Sequence, residues 1–169
     1  MYYLQTGTWW VYSYGGEGFN WSDPHILDVL LSYRKGLFVY APILLLAIPG
    51  SWFLRKKFSG FSALSWLGLM GLFTYITSSW WYWAYGGSFG MRPFIDSYGL
   101  FVVPLASFLE ASFNYLAARI ALAIVCSGLI FFQLFQTYQY VQNILPYEGM
   151  NETKYWHLFL KSGHQFNYA

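Results

Sequence analysis

The chain is 169 residues long, 57% hydrophobic and 24% aromatic, with 9% charged residues and a formal charge of +2. A soluble domain carries about a quarter charged residues, so these proportions exclude an ordinary water-soluble enzyme and point to a membrane protein. So small a positive charge, with no long basic face, gives no reason to expect nucleic acid as a partner.

Cys126 is the single cysteine and lies inside an apolar run, which rules out an intrachain disulfide and leaves the redox compartment open. Residues Met1 to Trp10 lack the basic start and continuous apolar core of a signal peptide. If this segment lies outside the cytoplasm, its export falls to an upstream segment or to the first span.

In chain order, Met1 to Trp21 is aromatic and rich in glycine around Gly15-Gly16-Glu17-Gly18, and reads as an irregular interfacial loop. Asp23 can cap a helix whose first turn accepts Pro24. Ile26, Leu27, Leu30 and Leu31 recur at helical spacing and Gly36 offers a stop, which predicts a short surface helix of about two to three turns.

From Gly36 to Leu54 there is no charge, and at about 1.5 Å per residue the run can cross a hydrocarbon core of roughly 30 Å. Pro42 and Pro49 are expected to kink it, which lipid tolerates only where neighbours satisfy the freed carbonyls. Arg55-Lys56-Lys57 follows. A second run, 60–79, ends in an aromatic wall, Trp80 to Tyr85, of the kind that sits at the membrane–water boundary. Three glycines, Gly86, Gly87 and Gly90, then lead to Arg92, Pro93, Asp96 and Tyr98. A third run, 98–113, carries Pro104 and Glu110, and a fourth, 116–135, has Arg119 near its start. Glu110 and Arg119 can snorkel to one interface or pair across the turn at Asn114.

The pattern predicts an all-α polytopic membrane protein with about four transmembrane helices (36–54, 60–79, 98–113 and 116–135) plus short interfacial helices. Residues 1–35 form an interfacial segment, 36–135 the transmembrane domain and 136–169 a tail with a short helix, capped by Asn151 with Glu152 in its first turn. Placing Arg55-Lys56-Lys57 and Arg119 in the cytoplasm puts both termini and the Tyr82 to Ser97 loop on the outer face. Arg34, Lys35 and Arg92 then stand as unusual outer cations.

Two or three cations beside aromatic walls suit the phosphate of a lipid carrier, because a guanidinium binds it in a bidentate way while rings cover the chain. The plainer alternative is that Arg34 and Lys35 anchor a span end and that Arg92 and Asp96, four apart, pair to hold the loop. That alternative is the commoner outcome for such residues. Arg34, Lys35, Arg92, Asp96 and Tyr98 are the candidate binding residues. Gly86, Gly87 and Gly90 follow a membrane helix rather than a strand, so they make a poor nucleotide loop. His25, His157 and His164 have no metal-ligand spacing, and no metal or other cofactor is expected. Ser88 lies in no strand-to-helix elbow, and no carboxylate pair shares an outer helix. Asn151-Glu152-Thr153 matches a glycosylation pattern too short to carry weight. Four short spans without buried charges along a path argue against a transporter.

Ser32-Tyr-Arg-Lys-Gly-Leu-Phe-Val-Tyr-Ala-Pro-Ile-Leu-Leu-Leu46, Trp81 to Asp96 and Leu105-Ala106 resemble the C-terminal half of bacterial GT-C type membrane glycosyltransferases, the group that includes protein mannosyltransferases and aminoarabinose transferases. Gly18 to His25 and Met150 to Trp156 resemble further segments of that group, in the same order. The resemblance implies sugar transfer from a polyprenyl-phosphate donor at the outer face of the bacterial inner membrane. It makes Arg34, Lys35 and Arg92 donor-phosphate or pocket residues, with Asp96 orienting Arg92. The family's catalytic acid lies in a first outer loop N-terminal to anything present here, so no catalytic base carries over. The expected function is a partial glycosyltransferase that binds membrane lipid and a polyprenyl-phosphate-linked sugar. The alternative is a non-catalytic accessory subunit packed against other transmembrane subunits.

Overall fold

A helix satisfies its backbone internally, and a chain this apolar can enter lipid in few other forms. In a computed structural model that describes Gly7 and residues 15–163, helices carry the fold; the described residues hold no strand beyond one bridge between Phe19 and Trp80. Most of the predicted 1–21 loop and His164 lie outside the described residues.

Three helices are long and apolar enough to cross a membrane: Gly60–Ser78, Arg92–Ala111 and Leu116–Val141. The first apolar run does not make a fourth. It breaks into α2 (Leu37–Tyr40), a 3-10 turn (Pro42–Leu46) and α3 (Ala47–Lys57), after the short α1 (Ile26–Leu31). The residue before a proline is disfavoured in the helical region, and Ala41 sits at φ −135°, ψ 62°. Pro49 causes no break because it lies in the first turn of α3; the Leu45 carbonyl it cannot use accepts instead from the Ala47 N–H. At about 1.5 Å per residue, the 11 residues of α3 cover only about half a hydrocarbon core.

α4 (Gly60–Ser78) starts at a Ser59 cap, whose side chain accepts from the Ser62 N–H, and returns antiparallel to α3. A 3-10 turn (Arg92–Ser97) feeds α5 (Tyr98–Ala111), and α6 (Leu116–Val141) follows a second tight turn. α3 packs chiefly on α5, with Gly50 against the Pro104 carbonyl so closely that any Cβ would collide with backbone. Pro104 supplies no N–H to the Leu100 carbonyl, and Trp66 of α4 fills that role, its indole N–H donating to the Leu100 oxygen at 2.8 Å.

Lys57 and Glu110 form an ion pair joining the ends of α3 and α5, so this end gathers Arg55, Lys56, Lys57, Glu110 and Arg119. Arg119 lies over the Phe113 ring at 5.3 Å and makes no ion pair with Glu110.

The opposite end is built from loops. Residues 18–25 run along the end of α4 through Trp81 N–H to Gly18 O (2.9 Å) and His25 N–H to Ser78 O (3.0 Å). That anchoring starts α1 at Ile26, two residues later than an Asp23 cap would, and leaves it six residues long. Asn151 does cap α7 (Glu152–Leu158), accepting from the Lys154 N–H at 2.9 Å. Gln139, near the C-terminal end of α6, is buried and donates to the Leu158 and Lys161 carbonyls, while Gln136 donates to the Tyr155 hydroxyl and the Val39 carbonyl. One core cluster, with Val29, Leu37, Met91, Phe94 and Phe101, and a second, with Tyr40, Ile144, Met150, Tyr155 and Leu158, hold this end together.

Candidate functional site

Arg34 and Lys35 occupy the turn between α1 and α2. Gly36 makes that turn possible: a Cβ there would strike the backbone of Leu31 and Ser32, and its N–H donates to the Ser32 carbonyl at 2.7 Å. The following α2 buries Leu37 and Tyr40, so both cations are fixed at the mouth of the helical bundle.

The aromatic loop closes over them. Gly86 and Gly90 take positive φ values of 70° and 58°, and Tyr85, at φ 52°, does so at a cost in strain. Its hydroxyl donates to the Thr77 carbonyl at 3.0 Å and holds it there. Gly87 lies against the Tyr147 ring and Gly90 against Tyr40, fitting the loop to the tail on one side and to α2 on the other.

Within this frame the Arg34 guanidinium donates to the Tyr82 hydroxyl at 2.8 Å and lies 5.4 Å and 5.7 Å from the centres of the Tyr82 and Trp83 rings. Tyr82 in turn donates to the Glu148 carboxylate at 3.2 Å. The Arg34 Nε–H is buried and donates to no protein group. Lys35, 1% exposed, donates to the Ser88 carbonyl and reaches its hydroxyl at 3.4 Å. Burial, and then the positive charge of Arg34, lower the Lys35 pKa from 10.5 to about 8, with Glu148 opposing. Among the described residues neither cation forms an ion pair with a carboxylate.

Arg92, Asp96 and Tyr98 are placed differently. Arg92 and Asp96 are exposed, and no ion pair joins them. Their four-residue spacing faces one side of an α-helix, but this segment is a 3-10 turn with three residues per turn, which aligns i with i+3. The expected orienting of Arg92 by Asp96 is thus absent. Tyr98 is half-buried and packs against the first core cluster. The structure therefore brings Arg34 and Lys35 to the aromatic loop and leaves Arg92 and Asp96 facing out.

Sequence reasoning missed Tyr82 and Glu148 as functional residues and considered Ser88 only as a nucleophile. The available signal was a phenol inside the aromatic wall and an acid in Pro146-Tyr-Glu-Gly149. His25 bonds Asp28 at 3.0 Å and stacks on Trp83, and no group of three or more His, Cys, Asp or Glu among the described residues can hold a metal.

Chemically, the arrangement offers a guanidinium with a spare buried donor, a lysine that holds its proton weakly, and rings that exclude water. Such a set can hold an anion; it contains no acid and base couple. No protein-family model, no curated protein and no solved structure matches this chain.

Proposed function

We propose that the chain is the lipid-carrier half of a membrane glycosyltransferase-like protein, binding the phosphate of a polyprenyl-phosphate sugar donor at the outer face of the bacterial inner membrane. The observation that carries this reading is the buried Arg34 Nε–H, a charged donor without an acceptor, beside a lysine that meets no carboxylate. A buried donor left unmatched is costly, and a phosphate oxygen is the acceptor that a guanidinium fits best. Tyr82 and Glu148 keep the fork in place, while Arg92, exposed at the same end, is free to meet a headgroup. The first apolar run, 36–54, enters the membrane as a broken segment, with Arg55, Lys56 and Lys57 after it at the inner face. The test is binding of undecaprenyl phosphate to the purified protein in nanodiscs. Arg34→Ala weakens it by tenfold or more, on the scale of one lost charge-assisted hydrogen bond (about 1.5–3 kcal/mol), and unchanged affinity refutes the reading.

A second reading, a non-catalytic accessory subunit, is favoured by α6. Its most apolar stretch is wholly unburied within this chain, and only Gln136 and Gln139 near its outer end are covered. Stoichiometric co-purification with a membrane protein unrelated to sugar transfer, together with no carrier binding, supports this reading over the first.

A further inference from the structure

We infer that the cleft on the far side of Tyr82 is a carbohydrate subsite, which takes the sugar ring of the carrier whose phosphate lies on Arg34 and Lys35. The inference rests on the proposed function and deepens it. The cleft, of about 510 Å³, is lined by Glu17, Phe19, Ile76, Trp80, Trp81, Tyr82 and Tyr85. That volume lies within the usual range for small-molecule sites.

Three features point to a sugar. Five of the seven lining residues are aromatic, and Trp81, 49% exposed, together with Phe19, 42% exposed and stacked on Trp21 on one face, leaves ring surface open to an occupant. The C–H face of a pyranose is apolar and slightly positive, which complements the negative face of an aromatic ring. One carboxylate, Glu17, lines the cleft, and among the described residues it accepts no hydrogen bond and meets no cation. A carboxylate is an acceptor only, and hydroxyl groups on a ring edge would satisfy it.

The walls are held in place. Phe19 packs edge-on to Trp80 at 4.9 Å beside the bridge that joins them, Trp80 and Tyr85 lie parallel at 6.5 Å, and Trp81 leans on Tyr82 at 5.6 Å. Tyr82 belongs to both sites: it lines the cleft, and its hydroxyl receives the Arg34 guanidinium. A sugar linked directly to phosphate would straddle that one side chain.

The probes are undecaprenyl phosphate and its glucosyl, mannosyl and N-acetylglucosaminyl derivatives, with affinities measured on the whole protein in nanodiscs and expressed as the ratio of sugar-bearing to bare carrier. At least one sugar-bearing carrier binds about tenfold tighter than the bare one, the scale of one hydrogen bond to a charged acceptor. Glu17→Gln and Trp81→Ala each bring that ratio toward one, with helical content by circular dichroism unchanged. Trp81→Phe, which keeps a ring face, restores much of the ratio where Trp81→Ala loses it. Tight binding of bare carrier with a ratio of one for every sugar overturns the subsite and leaves the phosphate reading standing. Absence of binding by any carrier overturns both.

Discussion

Lys35 is charged in water and nearly sealed from it in the folded protein. Its folded pKa, about 8, lies below the 10.5 of the free side chain, so between those values the unfolded chain binds more protons. Unfolding free energy is therefore expected to rise as pH climbs from about 8 to 10.5, and Lys35→Met to flatten the rise; denaturant titrations in detergent micelles at stepped pH measure both. Anion binding runs the other way, because the charge that attracts phosphate is lost through the same window. Undecaprenyl phosphate affinity should fall above pH 8, and an affinity constant to pH 10 would separate Lys35 from the site. At Tyr82 the phenol is the tie between Arg34 and Glu148, so Tyr82→Phe keeps the ring and removes the tie. The expected loss is about 1 kcal/mol, roughly fivefold in carrier affinity, by the same nanodisc assay. Arg34 and Lys35 were legible in the sequence as cations at a span end. Tyr82 and Glu148 were not, because Tyr82 lies 48 residues from Arg34 and Glu148 a further 66 beyond it, and no periodicity reaches that far. The Arg92 and Asp96 spacing misled for a local reason: it presumes 3.6 residues per turn.

At the scale of the helices, the prolines decide most. All were visible in the sequence, yet their consequences differ with what stands beside them. Pro42 stops a helix through Ala41, Pro49 hides in a first turn, and Pro104 stays inside α5 because Trp66 supplies the missing donor. Trp66→Phe should leave the Leu100 carbonyl without its donor and cost about 1–3 kcal/mol. Adding Pro104→Ala restores a backbone N–H and should recover much of that loss, a coupling that a double-mutant cycle of unfolding free energies reads directly. Additive losses would mean that Trp66 acts through packing alone. Gly50→Leu tests the neighbouring contact: no rotamer avoids the Pro104 carbonyl, and the expected destabilisation is at least the ~1–3 kcal/mol of ordinary overpacking. Apolar length located three long helices near 60–79, 98–113 and 116–135, although the last runs on to Val141. Run 36–54 failed as one helix because apolar length says nothing about backbone continuity.

For the molecule as a whole, short turns with Arg55, Lys56, Lys57 and Arg119 mark one end, and the aromatic loop, the first described residues and the tail mark the other. The excess of positive charge in those compact turns is the ground on which we propose that this end faces the cytoplasm. In a Cys126→Ser background, cysteine at position 92 should react with an impermeant maleimide from outside intact cells, and cysteine at position 56 only after lysis. Reaction of position 92 only after lysis would invert the whole arrangement and the proposed function with it. The two-ended plan was readable from charge and aromatic placement alone. The folding of the tail back onto α6 was not, since it depends on two amides in a helix that otherwise reads as lipid-facing.

Those amides, Gln136 and Gln139, have a bearing on how the protein is made. α6 leaves the ribosome before residues 152–161, the partners of its last turn, exist as folded structure. Until they arrive, two carboxamides would hold that turn up among hydrated headgroups rather than let it sink. A nascent chain ended at residue 145 should therefore ride higher in the bilayer than the finished protein, a difference that depth-dependent fluorescence quenching near residue 138 can record.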